Sequence, residues 1–440
     1  MKKVLLSLSV CGALAFGSTN EELLKELHAL KQQVEEMKTE QAATNEAILE
    51  ELSQESYKDA KAYESFSSMG GAASKVYYGD EGLSMGGYAE YYYKKYNGYK
   101  NSDSETTNKA KNMGVSSILR FIPYIGYKFN DNIIMNTEIE FEDGGARSDG
   151  EKEYKYAIVE FSYLDFLFSQ SFNVRVGHIL TPMGLTNLNH EPTSFLTADR
   201  PEVESIIIPS TWHTNGILAH GTFGNFEYYA GVVTSPDADT FGEEESKFIK
   251  DGRLGAKQYS DSFSFVSRAT YDFESGLNIG GSILYGSSKG FESDAKVSIF
   301  MTEAHAQYKN NGFNIQALAT YATLGGDTDK IEVGSYSDGV DYAIAESVNG
   351  QYMTLGYDVL SFLNMGERGY LVGEIERLDM DAKGQTTYVE NNRFMEYSTG
   401  FAYYPDPRVV FKGDYKLRDY KEAATLADEK SFTLALGYIY

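Results

Sequence analysis

The residues with the chemistry most typical of active sites lie near the middle of the chain. His213, Thr214 and Asn215 have the residue types of a hydrolytic site, namely a base, a hydroxyl nucleophile and an orienting amide. Neighbouring residues of a strand point to opposite faces, so a strand would separate His213 from the hydroxyl of Thr214. We therefore predict no catalytic role for this run and interpret it as a turn or the start of a strand.

Side chains that bind metal ions occur in the same stretch. His178, His190 and Glu191 have suitable donor atoms, but two histidines with no third partner close in the sequence are more typical of a hydrogen-bonded loop. Acidic runs such as Glu243 to Glu245 lack the spacing of a calcium loop, so they are either solvated or bind divalent cations that bridge lipopolysaccharide. The sequence predicts no metal site and no cofactor.

The N-terminus has the features of a secretory signal peptide. Two lysines precede an apolar run from Val4 to Val10, and Ala13 and Ala15 have the small side chains that signal peptidase prefers. We predict that residues 1–15 are removed, with cleavage there or a few residues later. A lipoprotein signal at Cys11 is the alternative, although a bulky residue precedes this cysteine. Because the chain has no other cysteine, the mature protein is expected to lack disulfides, thiolate catalysis and cysteine-bound metals.

Residues 19–57 have the heptad pattern of a coiled coil. Apolar residues recur at alternating steps of four and three from Leu23 onward, and Gln41 and Thr44 are polar core positions. A single amphipathic helix on a surface is the alternative. Residues 58–82 contain several glycines and are predicted to be a linker.

The composition excludes two broad classes of protein. With 42% hydrophobic and 14% aromatic residues, the chain is too apolar to be a disordered coil. Its formal net charge of −25 repels nucleic acid. The 35 tyrosines and 42 glycines, against only 8 prolines, favour β structure with many turns.

From residue 83 to residue 440 the apolar residues follow a period of two. In Ile133 to Glu142, for example, one face is apolar and the other is largely acidic. We count about sixteen such segments, including 153–165 and 351–361, at about 22 residues for each strand with its connection. Short connections alternate with long acidic ones. The predicted fold is an all-β, antiparallel transmembrane β-barrel of about sixteen strands over residues 83–440.

A soluble β-sandwich or propeller is the alternative for alternating strands. Two features favour the membrane barrel. The faces opposite the apolar ones carry Glu, Arg, Asn and Gly in strand after strand, which indicates a wet interior. The chain also ends in a strand whose one face carries Phe432, Leu434, Leu436, Tyr438 and Tyr440, a pattern similar to the C-terminal signal of Gram-negative outer-membrane proteins. We therefore predict a location in that membrane, with tyrosines at its interfaces.

One long connection carries a series of short motifs. It reads LTPMGL at 180–185, NHEP at 189–192, RPEVE at 200–204 and IIIPSTW at 206–212. The run resembles the porin family named for the phosphate-selective porins O and P, and the sequence likeness lies mainly in residues 175–221. The resemblance implies a sixteen-stranded barrel, usually trimeric, with a long loop that folds inward as a constriction. The candidates for this constriction loop are His190, Glu191, Arg200 and Glu202.

The charges depart from the pattern of that family. The resemblance implies that several Arg and Lys residues select anions, whereas Arg200 is the only one between Leu180 and Trp212. Arg200 fits either a constriction or one half of a loop ion pair. Strand parity places seven basic and eleven acidic residues on the inner face, which does not favour an anion channel. The pore-lining candidates are Arg120, Arg175, Arg200, Arg268, Lys412, Lys416, Arg418, Glu138, Glu140, Glu142, Glu374 and Glu376.

These features together predict a porin, not an enzyme. We expect passive diffusion of small hydrophilic solutes or ions through a homotrimer in contact with outer-membrane lipid and lipopolysaccharide. The alternative is a structural anchor, in which the coiled coil of residues 19–57 tethers the outer membrane to peptidoglycan.

Overall fold

The protein is described here as a computed structural model. The structure describes residues 63–97, 112–145, 147–148, 153–154, 157–242, 248–253, 257–258, 260–332, 344–363, 366–380, 393–420 and 429–440, together with five residues between 25 and 32. Residues 62–440 belong to one compact unit. In it, sixteen antiparallel strands form a closed barrel, and a separate two-stranded sheet lies outside the barrel order. The predicted fold class is confirmed.

The barrel closes because the first strand pairs with the last, as in Tyr88 opposite Ile439. The two strands of the small separate sheet are β4 (Arg147–Ser148) and β5 (Glu153–Tyr154). The barrel strands are β1 (Gly82–Asn97), β2 (Val115–Asn130), β3 (Ile133–Glu142), β6 (Ile158–Ser169), β7 (Phe172–Leu180), β8 (His213–Phe223), β9 (Phe226–Thr234), β10 (Phe263–Asp272), β11 (Leu277–Lys289), β12 (Lys296–Asn310), β13 (Phe313–Gly326), β14 (Ser347–Asp358), β15 (Arg368–Asp379), β16 (Arg393–Asp406), β17 (Val409–Tyr420) and β18 (Glu429–Ile439).

The side chains of each strand alternate between an apolar outer surface and a polar interior. In β18 the large apolar residues Phe432 and Leu434 are each 42% exposed, whereas Ser431 and Thr433, which alternate with them, are buried. In β3 Glu138 and Glu140 are buried. A protein that exposes its oily side chains and buries its acids has the polarity expected of a barrel in lipid.

The connections between strands sort by length to the two ends of the barrel. Tight turns join β2 to β3, β8 to β9 and β12 to β13, and we call this the short-turn end. The opposite end carries the longer connections and is called the long-loop end. One of them, residues 181–212 between β7 and β8, folds into the lumen and is called the inner loop. Among the described residues, no helix is both long enough and apolar enough to cross a bilayer.

A helix also lies inside the barrel, within the segment predicted to be a linker. Helix α1 (Gly71–Tyr78) has buried side chains at Ala72, Ala73 and Val76 and packs against β1, β2 and β3. Part of residues 58–82 is therefore a structured element of the lumen. The predicted signal peptide of residues 1–15 lies outside the described residues. So does the coiled coil of residues 19–57, apart from five exposed helical positions, Lys25, His28, Ala29, Lys31 and Gln32.

Candidate pore and its constriction

The inner loop crosses the lumen and is held by the wall on several sides. The Ala198 N–H donates to Asp414 Oδ2 at 2.7 Å, and the Val203 N–H donates to Glu376 Oε2 at 3.1 Å. On another side Gln316 Nε2 donates to the Ser194 carbonyl at 3.1 Å. Most residues of the loop are buried and none is exposed. A loop with this many wall contacts is a fixed part of the interior.

The conformation of the inner loop is centred on one buried carboxylate. Glu204, in a π-helical turn (Val203–Ile207), accepts hydrogen bonds from the Leu185 and Thr186 N–H groups at 2.7 and 2.8 Å and from the Tyr352 hydroxyl. Gly184 lies beside it at a φ of 72°, where a side chain would be strained and would strike the carboxylate. Burial raises the pKa of Glu204, and the Thr186 and Tyr352 donors oppose this shift.

Glycines on the inner face of the wall give the loop room to approach. A Cβ added at Gly350 would lie 2.8 Å from the Ile207 side chain, and one at Gly437 would strike Pro192. Gly356 faces Leu196 in the same way. At each of these wall positions an apolar side chain of the loop fills the space that a Cβ would take.

Glu191 of the inner loop holds the N-terminus of helix α1. Its carboxylate accepts a hydrogen bond from the Ala73 N–H at 3.0 Å, in the position where a helix favours negative charge. Burial raises the pKa of Glu191, and the backbone donors of α1 oppose that shift. On the wall side, Asn136 Nδ2 donates to the Ala73 carbonyl at 2.7 Å. Helix α1 and the inner loop therefore form one connected filling of the lumen.

A buried polar chain secures the other end of α1. Asp165 accepts from Arg175 Nη2 and from the Tyr77 hydroxyl, both at 2.8 Å, and its other oxygen lies 2.8 Å from His220 Nε2. His220 Nδ1 lies 3.0 Å from Ser67 Oγ. This is the order of groups in a serine hydrolase, but the charge of Asp165 is already paired with Arg175, so we interpret the chain as an anchor for the N-terminal segment.

The predicted site residues lie inside the barrel, on the strand faces that the alternation of residues predicts. Glu142 is the exception, since it is exposed at the end of β3. They divide into ion pairs and unpaired groups. Arg120 bridges Glu90 and Glu140, whereas Lys412 Nζ has no hydrogen-bond partner among the described residues and lies 3.5 Å from the ring centre of Phe195. The positions on the inner surface are Arg120, Arg175, Arg268, Lys412, Lys416, Arg418, Glu138, Glu140, Glu374 and Glu376, and those on the inner loop are His190, Glu191, Arg200 and Glu202.

The loop ion pair proposed for Arg200 is not present among the described residues, since its Nη2 instead donates to the His190 carbonyl at 3.1 Å. Asp199 pairs with Lys94 at 2.7 Å, and Glu202 pairs with Arg418 at 2.6 Å. Burial raises the pKa of Asp199, but Lys94 and Lys416 outweigh it and hold the pKa well below its usual range. The stabilisation from this carboxylate is therefore present at neutral pH and is lost only as the pH falls through that lowered pKa.

Cavities lie on both sides of the inner loop. One of about 510 Å³ opens toward the long-loop end and is lined by basic residues at Lys94, Arg120, Arg200, Lys250 and Arg253. Its acidic lining comprises Glu140, Glu142, Asp199 and Glu202. Another, of about 360 Å³, lies toward the short-turn end and includes Arg268, Glu227, Asp272 and Lys309. Lys250 and Arg253 could not be predicted from the sequence because residues in a loop do not alternate between two faces. Lys94 could not be predicted because it lies near the end of a strand.

The candidate hydrolytic and metal residues are arranged as hydrogen-bonded structure, and β8 begins at His213. His213 Nδ1 lies 2.8 Å from His178 Nε2, and Thr214 Oγ1 lies 3.3 Å from Thr181 Oγ1, so His213 and Thr214 point to different partners. His178 is not brought to His190. Burial and the charge of Arg200 lower the pKa of His190 to about 4, and its ring faces Glu138 instead.

A closed barrel of sixteen antiparallel strands, apolar outside and crossed by an inward-folded loop, has the fold of the outer-membrane porins. The anion-selective porin of Comamonas acidovorans matches 82% of this chain and 100% of its own at a TM-score of 0.51 and 11% identity. The channel DcaP of Acinetobacter baumannii matches 81% of this chain and 97% of its own at a TM-score of 0.50 and 12% identity. At such identities the likeness concerns the fold alone.

No protein-family model matches the chain. An uncharacterized protein of Aquifex aeolicus (strain VF5) is 31% identical over 369 residues, which cover 82% of this chain and 81% of that protein. The chain belongs to the same family as this Aquifex protein.

Proposed function

We propose that the protein is a passive outer-membrane channel for small hydrophilic solutes and ions. The observation that carries the proposal is the inner loop, which crosses a lumen with charged cavities on both of its sides. Selection among solutes would depend on the width of the pore beside the inner loop and on the charges that line it. A trimer in contact with lipid and lipopolysaccharide is part of the proposal, as the resemblance to the phosphate-selective porin family implies.

The charges of the long-loop cavity support weak selectivity, not selection of phosphate. Five basic and four acidic residues line it, so neither sign of ion is strongly excluded. In a tenfold salt gradient the current through an ideally selective pore reverses at about 60 mV. The gradient is worth about 1.4 kcal/mol, and one charge that crosses 100 mV changes its energy by about 2.3 kcal/mol. We expect conductance in planar bilayers with a reversal potential well below that limit.

The double variant Lys250→Glu with Arg253→Glu is expected to move the reversal potential toward cation selectivity. Both side chains are half-buried at the cavity, so the barrel should tolerate the change. Lys330→Glu, on an exposed side chain that lines none of these cavities, is the control and should leave the potential unchanged. Folded protein without conductance would contradict the channel, and a wild-type potential near the ideal limit would contradict weak selectivity.

A structural anchor is the second candidate function, and the heptad pattern of residues 19–57 favours it. In this proposal the coiled coil binds the cell wall while the barrel sits in the membrane. Deletion of residues 19–57 should then loosen the envelope, measured as release of outer-membrane vesicles, and leave the conductance of the barrel unchanged. An intact envelope after the deletion would contradict tethering, and loss of the trimer alone would identify the segment as an assembly element.

A further inference from the structure

Three ligand-type side chains meet where the inner loop touches the wall at β3 and β6. His190 Nε2 of the loop lies 3.1 Å from Glu138 Oε1 and 3.7 Å from Glu160 Oε2. The donor atoms of all three residues lie within 4.8 Å of one another. Each side chain is at most 2% exposed. The three residues belong to separate elements, so only the folded barrel brings them together.

The orientation of the histidine ring is fixed by its other nitrogen. His190 Nδ1 lies 3.0 Å from the Asn187 carbonyl oxygen. Because a carbonyl only accepts, Nδ1 carries the hydrogen, and a neutral ring then directs the lone pair of Nε2 at the carboxylates. Three acceptors cannot face one another without a cation or a proton between them. A ring that donates its second N–H to a backbone carbonyl is also the usual support of a metal-binding histidine.

The carboxylates have no other partner to balance them. Both oxygens of Glu160, which is fully buried, and Oε2 of Glu138 have no hydrogen-bond donor in the part of the chain that the structure describes, where the carboxyl groups of Glu138, Glu140 and Glu160 face one another. Arg200 is close enough to interact electrostatically with both, but among these residues it forms no ion pair within 4.0 Å and donates to the His190 carbonyl. Buried carboxylates without partners are costly unless a cation binds them.

The charges around the site leave room for a dication. Four acids, Glu138 and Glu160 with Glu90 and Glu140, face two guanidinium groups, Arg120 and Arg200, so the group has two negative charges in excess. A fifth acid, Glu191, also acts on Glu138 and is held by the N-terminus of helix α1. Lys412 and Asp414, the next charges along the wall, have opposite signs and interact with each other. The cavity toward the long-loop end is lined by Glu140 and Arg200, which provides a route of entry.

We propose that Glu138, Glu160 and His190 bind one divalent transition-metal ion that fastens the inner loop to the wall. Ligands about 2.0–2.1 Å from a tetrahedral ion lie about 3.3 Å apart, and the two separations from His190 Nε2, 3.1 and 3.7 Å, lie on either side of that value. One imidazole with two carboxylates suits zinc and its neighbours, whereas calcium takes six to eight oxygens. A water or Glu140 completes the coordination. The proposal does not depend on whether the barrel conducts.

The test uses the full chain, untagged and in detergent, with Zn²⁺ as the probe. After dialysis against Zn²⁺ and then against metal-free buffer, elemental analysis should find one ion per chain. EDTA should remove the ion and lower the apparent Tm. Glu160→Gln keeps the size of the side chain and should abolish retention of the metal. Glu374→Gln, which changes another buried wall carboxylate that has an oxygen without a partner among the described residues, should retain it.

Two results would overturn the proposal. If wild type retains no zinc and Zn²⁺ does not change its Tm, a proton, not a metal, lies between the acceptors, and Glu160→Gln should then be at least as stable as wild type. If the Glu160→Gln variant retains as much zinc as wild type, the ion binds elsewhere. Circular dichroism of both variants establishes that each barrel is folded, so that lost retention cannot be assigned to unfolding.

Discussion

Replacing Arg175 with methionine is expected to destabilise the folded protein by about 3–5 kcal/mol. Arg175 and Asp165 form an ion pair at 2.8 Å in which the side chains are 3% and 0% exposed. Methionine keeps much of the arginine volume but leaves the Asp165 carboxylate buried without its cation. Breaking one side of a buried pair is far more costly than replacing the whole pair with apolar residues, because the remaining charge has lost its solvation and its partner.

The measurement is the free energy of unfolding from a denaturant titration, followed by tryptophan fluorescence. Trp212 is the single tryptophan of the chain, is fully buried, and ends the inner loop, so its emission reports on the interior. Arg377→Met is the matched control, since Arg377 pairs with Asp379 at 3.2 Å but is 36% exposed. Exposed pairs contribute at most about 1 kcal/mol. If both variants lose the same free energy of unfolding, the buried pair of Arg175 and Asp165 does not stabilise the protein more than an exposed pair does.

The sequence predicted the wall of the barrel well because lipid imposes a strict rule on it. Every strand must expose apolar residues to lipid at alternate positions, so the period of two is visible in β3 and in β18 without any structure. The ends of strands are less constrained. The segment predicted at 153–165 lies at Ile158–Ser169, and the one predicted at 351–361 lies at Ser347–Asp358. At these ends the strands leave the lipid and polar residues are tolerated on both faces.

The contents of the lumen were harder to predict because nothing imposes a period on them. The glycines of residues 58–82 predict a linker, yet small residues are what a helix such as α1 needs to lie against a wall. The complementary signal is present in the strands. Gly126 on the inner face of β2 faces Val76, and Gly86 of β1 faces the backbone of Ala72. Inner-face glycines in a barrel strand therefore indicate where another element approaches.

The same reasoning explains the histidines. His190 was weighed as a metal ligand with His178, its nearest histidine in the sequence, whereas the structure gives it Glu138 and Glu160 from two strands. Parity had already placed both acids on the inner face. Which of the inner residues the loop contacts depends on the path of its backbone through the lumen. The spacing of residues along the sequence does not predict that path.

Removing helix α1 is expected to raise the single-channel conductance at least about twofold. A helix of eight residues is about 12 Å long and about 10 Å across with its side chains, so it occupies a large part of the lumen beside the inner loop. Deletion of residues 63–79 leaves Asn136 and Asp165 to be hydrated by the water that replaces the helix. The conductance of single channels in planar bilayers measures the result, and migration of unheated protein on denaturing gels establishes that the barrel is folded.

Gly126→Leu displaces the helix without a deletion. A Cβ at Gly126 would lie 2.6 Å from the Cβ of Val76, so a leucine there cannot coexist with α1 in its present position. Gly373→Leu is the control, because a Cβ at Gly373 meets no atom within 4 Å and the position lies on the outer face between Leu371 and Ile375. We expect the Gly126→Leu variant and the deletion to conduct more than wild type, and the Gly373→Leu variant to conduct as wild type does. If both lumen variants fold and conduct as wild type does, ions pass along a route that α1 does not narrow, and the path must follow the opposite wall beside β10 to β14.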